Sequence, residues 1–217
     1  MTNYFDPVGL VITVAIFSFI PFLVVTATSF LKISAVLLIL RNALGLQQVP
    51  PNMVLYGISL VLSLLVMTPV LSQSIELFKS RDDQLPSKGS EIVRALEEAS
   101  PPVMNFLKQN TGPEFLEAAT DTAMKFHTKY GGAVPQADDF RVLLPAFVSS
   151  QLSEAFKIGI AIYLPFVIID LAVSCILMAL GMMMVSPNSI SLPIKLMLFV
   201  AVDGWQKITD GLVISYL

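Results

Sequence analysis

From Pro7 to Leu31 the chain runs 25 residues without a single charged side chain, and three more long apolar stretches follow it. About 20 apolar residues suffice to cross the hydrocarbon core of a bilayer. Val8–Thr28 is therefore a span candidate. The run resumes after Lys32 and ends at Arg41, which is longer than one span needs. Either the helix continues past the bilayer or Pro21 kinks it. Asn42–Pro51 holds Gly45, Gln47, Gln48 and the pair Pro50-Pro51, the punctuation of a turn. A second uncharged run covers Asn52–Ile75, with Pro69 near its end. Ile158–Val185 is interrupted only by Asp170, and Leu192–Leu217 is the most polar of the four.

Charge placement gives the same division. Of the 29 charged residues, 19 lie between Glu76 and Arg141, so two apolar halves flank one polar insert. Hydrophobic residues make up 55% of the chain and charged residues 13%, where a soluble domain carries about 25% charged. The expected fold is all-α, built of kinked helical hairpins. Residues 1–75 form an N-terminal hairpin with spans at about 8–28 and 52–75. Residues 76–142 form a small soluble helical insert, and 143–217 a C-terminal hairpin with spans at about 158–185 and 192–217. Within the insert, Asp82–Gly89 reads as a loop and Ser90 as a helix N-cap. Pro101-Pro102 opens a further segment, and Pro113–Lys129 is a helix ended by Gly131-Gly132. Lys32 and Arg41 place the short loop on the cytoplasmic side, which puts the insert and both termini outside.

Several function classes are excluded. Net charge is −3 and the apolar halves hold no basic stripe for nucleic acid. Cys175 is the only cysteine and His127 the only histidine, so neither an internal disulfide nor a zinc site is expected. The first six residues carry no positive charge, and the following apolar stretch is too long for the core of a signal peptide, so it is expected to be retained. No nucleophile and base stand at a recognisable spacing. A non-enzymatic protein without a cofactor is expected.

Charges inside apolar segments carry the functional signal. A charged side chain at a membrane helix centre costs about 2.5–3.5 kcal/mol on insertion scales, so Asp170 needs a partner or water. Lys157 is thirteen residues away, about 20 Å along a helix and on an opposed face. The partner must come from another helix or subunit. Glu154 and Lys157 have i, i+3 spacing and can pair locally. Asp203, Lys207 and Asp210 form one stripe if the fourth segment is a single helix, and Lys195 lies upstream. The stripe reads either as a salt-bridged helix contact or as the polar wall of a conduit. Pro21, Pro69, Pro165 and Pro193 each remove a helix hydrogen bond, which is tolerated at membrane depth where protein or water covers the backbone. Met182, Met183 and Met184 would spread over about 200° of a helix, so one core face cannot use them all. Gly181 and Pro187 mark a break around them. The triplet reads either as a packed hinge or as an adaptable closure repeated around a ring.

Thr28-Ser-Phe-Leu-Lys-Ile-Ser34, Leu40-Arg-Asn-Ala-Leu-Gly45, Leu180-Gly-Met-Met-Met-Val-Ser-Pro187 and Leu192-Pro-Ile-Lys-Leu-Met-Leu-Phe-Val-Ala-Val-Asp-Gly-Trp205 together resemble the SctR/FliP family. These are inner-membrane export-gate proteins of bacterial type III secretion, and the resemblance covers nearly the whole chain. Flagellar members usually add an N-terminal signal peptide, so the resemblance favours the injectisome SctR branch, a virulence or host-interaction system. Gln151 stands where flagellar members tend to have glutamate.

The resemblance implies several copies, five in the family, coiled with SctS and SctT into a cone-shaped core. That core opens the channel for unfolded polypeptides and works beside the export components SctU and SctV. The family's core is raised from the inner membrane toward the periplasm, where the insert would lie. Met182, Met183 and Met184 map onto its gasket, flanked by hinge residues Gly181 and Pro187. Lys32, Arg41, Glu154, Lys157, Asp170, Lys195, Asp203, Lys207 and Asp210 are the candidate buried inter-helix or inter-subunit charges. The alternative is a small-molecule or ion transporter or channel subunit that uses Asp170, Asp203 and Lys207 within the membrane.

Overall fold

Gly45 and Gly181 end two of the apolar helices, while the first apolar run breaks at residues 27–29 and the last at Asp203. A computed structural model describes residues 7–79, 98–132, 134–182 and 184–217, and every regular element among them is α-helical. The loop expected over Asp82–Gly89 and the N-cap expected at Ser90 lie outside the described residues.

Helix α1 (Pro7–Thr26) is uncharged and keeps Pro21 inside it. Helix α2 (Phe30–Ala43) ends where Gly45 turns left-handed at φ 81°. The Gly45 N–H donates to Asn42 O at 3.0 Å and the Leu46 N–H to Arg41 O at 3.2 Å. This pair of bonds is the Schellman closure, which satisfies the last carbonyls of a helix and calls for glycine at the turning residue. Helix α3 (Asn52–Lys79) continues through Pro69. Helix α4 (Pro101–Gln109) starts on its two prolines, where their missing N–H groups cost nothing. Helix α5 (Pro113–Tyr130) ends at Gly131, φ 74°.

Helix α6 (Phe140–Ala179) is one element of 40 residues and does not begin at Ile158. Hydropathy falls at Glu154 and Lys157, yet both side chains are good helix formers, so the helix runs through them. Its length is about 60 Å, twice the hydrocarbon thickness of a bilayer. The fourth apolar segment is split into α7 (Pro187–Ala201) and α8 (Gly204–Ile214). Asp203 between them is left-handed, at φ 52° and ψ 44°, a conformation that aspartate tolerates better than most residues. Gly204 lies so close to the Phe199 ring that a Cβ there would collide with it. Trp205 then meets Phe199 edge-on, at 5.5 Å between centroids. Among the described residues, two helices are long and apolar enough to cross a membrane, over Asn52–Leu77 and Phe140–Ala179.

The chain divides into two compact units that do not follow chain order. One takes Met1–Ser29 and Met67–Gln151, the other Phe30–Val66 and Leu152–Leu217. In the first, Phe106 and Phe147 stack tilted at 5.9 Å, the Gly112 N–H donates to Ser150 Oγ at 2.9 Å and Gln151 Nε2 donates to Asn110 O at 2.7 Å. The second holds an aliphatic core on α2, with Ile33, Val36, Leu37 and Leu40 fully buried among Leu55, Ala155, Phe166, Phe199 and Leu212. At i, i+3, i+4 and i+7, the four α2 positions form one continuous face.

Candidate functional site

The methionine turn is built by a second Schellman closure. At the end of α6 the Gly181 N–H donates to Met178 O at 3.1 Å and the Met182 N–H to Leu177 O at 3.0 Å. Gly181 sits at φ 72°, so the chain leaves the helix axis there. It re-enters a helix at Pro187, whose fixed φ suits a first helical position. Between them, Met182 is 44% exposed and Met184 completely exposed. Met183 lies outside the described residues. Met182 and Met184 thus lie in a turn between two terminated helices, not in a helix, and present flexible apolar side chains outward.

Two lysines are buried in the second unit, each tied to two segments besides its own. Lys32 on α2 is 1% exposed. Its Nζ lies 3.0 Å from Glu154 on α6 and 3.7 Å above the Tyr216 ring centroid. Burial pulls the Lys32 pKa below the usual lysine range, and the hydrogen bond and charge of Glu154 offset part of that. Lys195 on α7 donates to Asp170 Oδ2 on α6 at 2.6 Å and to Ala43 O at the end of α2 at 3.2 Å. A cation is favoured at such a carbonyl terminus. Ser191 stands beside the same carboxylate, yet neither its buried hydroxyl nor Asp170 Oδ1 completes a hydrogen bond among the described residues.

Arg41 serves the turn after α2. Its Nη1 donates to Pro50 O at 3.2 Å and to Asn52 Oδ1 at 2.5 Å, closing the loop onto the start of α3.

The local pairing that the spacing of Glu154 and Lys157 allows is not the one made. Glu154 reaches back to Lys32, and Lys157 is exposed. Nor do Asp203, Lys207 and Asp210 form one helical stripe, because Asp203 precedes α8 in the left-handed region. All three are exposed in the single chain. Sequence reading missed Tyr216, Ser191 and the Ala43 carbonyl, for which no local pattern gives a signal. It named Asp170 and Lys195 separately, and the fold joins them.

These features define a class: an all-α protein with, among the described residues, two helices long and apolar enough to cross a bilayer, lysines buried in ion pairs, and an exposed turn holding Met182 and Met184 between two helix ends. The chain belongs to the FliP family, whose model matches residues 13–212. It is 43% identical over 216 residues to the harpin secretion protein HrcR of Erwinia amylovora, covering 100% of this chain and 99% of that one. It is 44% identical over 211 residues to the Yop proteins translocation protein R of Yersinia pestis, 97% of each chain. The surface presentation of antigens protein SpaP of Shigella flexneri is 41% identical over 211 residues, 96% of each chain.

Proposed function

We propose that this chain is a pore-forming, non-enzymatic component of the export apparatus of a type III secretion injectisome. Several copies, five by resemblance, would join SctS and SctT homologues to form the entrance channel for unfolded polypeptides, next to SctU and SctV. The protein would sit in the bacterial inner membrane, with residues 76–142 as a periplasmic insert and the core raised toward the periplasm. Met182, Met183 and Met184 form the gasket of the closed channel, with Gly181 and Pro187 as the ends of its loop.

One observation carries this reading: the methionine turn is projected outward, with Met184 fully exposed, by a helix end that Gly181 closes. Exposed large apolar side chains without a partner in the chain mark an interaction surface, and methionine adapts its shape to what it meets. The relatives, named for secretion and translocation of proteins, supply the cargo class.

The test uses the full chain assembled with its SctS and SctT homologues in planar bilayers. Replacing Met182, Met183 and Met184 with alanine is expected to raise the closed-state conductance several-fold, with the oligomer intact in native mass spectrometry. Unchanged conductance would remove the gasket role. A purely monomeric particle would remove the assembly.

A further inference from the structure

We infer that the Leu40-Arg-Asn-Ala-Leu-Gly45 segment is the bracket that positions the methionine turn, with Arg41, Gly45 and Lys195 as its positioning residues. The inference rests on the gasket reading for its consequence, but its geometry is independent of it. Leu40, Ala43 and Leu44 are buried and fix the last turn of α2 in the core. From that anchored end, two contacts reach α7 just after the methionines.

The first is through Gly45. Its left-handed φ of 81° closes α2, and its bare Cα faces the start of α7. A Cβ placed there would stand 3.3 Å from Asn188 Oδ1 and 3.8 Å from Leu192 Cδ1. Any side chain would meet both an unfavourable backbone conformation and a neighbour that must give way. The second contact is Lys195 Nζ on Ala43 O, with Asp170 gripping the same ammonium from α6. Arg41 completes the bracket from the other side by holding the turn to Pro50 and Asn52.

The methionine turn is thus suspended between two fixed points. Its start is the end of α6, set by Gly181. Its far end is α7, held against the α2 terminus. Displacing the bracket moves the second point and leaves the first in place. Met184, nearest the second point, then shifts without any methionine being altered.

The test compares hydrogen exchange and conductance in the full chain assembled with its SctS and SctT homologues. Gly45→Ala is expected to speed exchange over residues 184–192 about tenfold while α3 exchanges as before, and to leak as the methionine-to-alanine triplet does. Unchanged exchange over 184–192 would overturn the bracket, as would uniform acceleration through α3 and α6. If the methionine triplet does not leak but Gly45→Ala still speeds exchange locally, the gasket reading fails and the bracket stands. Should Gly45→Ala fail to assemble, Lys195→Met provides the same measurement, because it removes the bond from α7 to Ala43 O and leaves the Schellman bonds intact. Local acceleration there supports the bracket, and unchanged exchange overturns it.

Discussion

The Lys32–Glu154 pair predicts an asymmetry that inverts the usual rule about buried residues: losing the more exposed partner should cost more. Lys32 is 1% exposed by side chain and Glu154 44%, with 3.0 Å between the charged atoms. Taking an effective dielectric of about 20, the gross attraction at that distance is about 5 kcal/mol, and Tyr216 adds a cation–π contact of about 2 kcal/mol where desolvated. In Glu154→Gln the ammonium stays buried and loses its counter-charge, a situation that costs about 3–5 kcal/mol. In Lys32→Met the volume is kept, and the half-exposed Glu154 is hydrated, so the loss should be nearer 1 kcal/mol.

Unfolding can be followed by Trp205, the only tryptophan, which packs on Phe199 in the same unit. The pH dependence carries its own sign. Lys32 binds its proton less tightly in the folded state than its ordinary value of 10.5 describes. Between the folded and ordinary values the unfolded chain therefore holds more protons, and stability rises with pH across that window. Removing Glu154 takes away what raises the Lys32 value, so the window widens downward and Glu154→Gln should recover stability on moving to alkaline pH. Equal losses in the two variants, or a Glu154→Gln deficit that does not shrink toward pH 10.5, would refute this account of the clamp.

Two further expectations follow from the core of the same unit. Leu37→Ala empties a fully buried position on α2 and should lower stability by about 2–5 kcal/mol, read by denaturant titration of the solubilised protein. Gly204→Ala forces a methyl group onto the Phe199 ring. It should cost about 1–3 kcal/mol by overpacking and alter the near-ultraviolet dichroism of Trp205 before it alters helix content.

Much of the helical outline was legible, because helix ends are written in local chemistry. Gly45 with the Pro50-Pro51 pair, Gly181 with Pro187, and Gly131 each announced a stop that the backbone then makes. The partners of the charges were not legible. Glu154 has a lysine three residues on, and local spacing favours that pairing. The fold instead supplies Lys32, 122 positions away. Asp170 likewise finds Lys195 across the methionine turn, 25 residues on. The break at Asp203 was hidden for a different reason. Hydropathy runs on through Val202, and the left-handed turn at Asp203 that brings Gly204 against Phe199 leaves no mark in an apolar pattern. The apolar stretch 158–185 reads as a span, and the helix that carries it starts 18 residues earlier, at Phe140, because charge marks the end of an apolar surface and not of a helix.

Finally, the clamp on the end of α2 sets a timetable for synthesis. Ala43 leaves the ribosome 152 residues before Lys195, the side chain that will bond its carbonyl. At about 5–20 residues per second, that interval is roughly 8–30 seconds. Throughout it, α2 has its apolar face made while the helices that carry Phe199 and Leu212 are still unmade, with Lys32 waiting 122 residues for its carboxylate. Until about the last seventh of the chain arrives, a nascent chain can cover that helix only in part, with Leu55 of α3 and then Ala155 and Phe166 of α6.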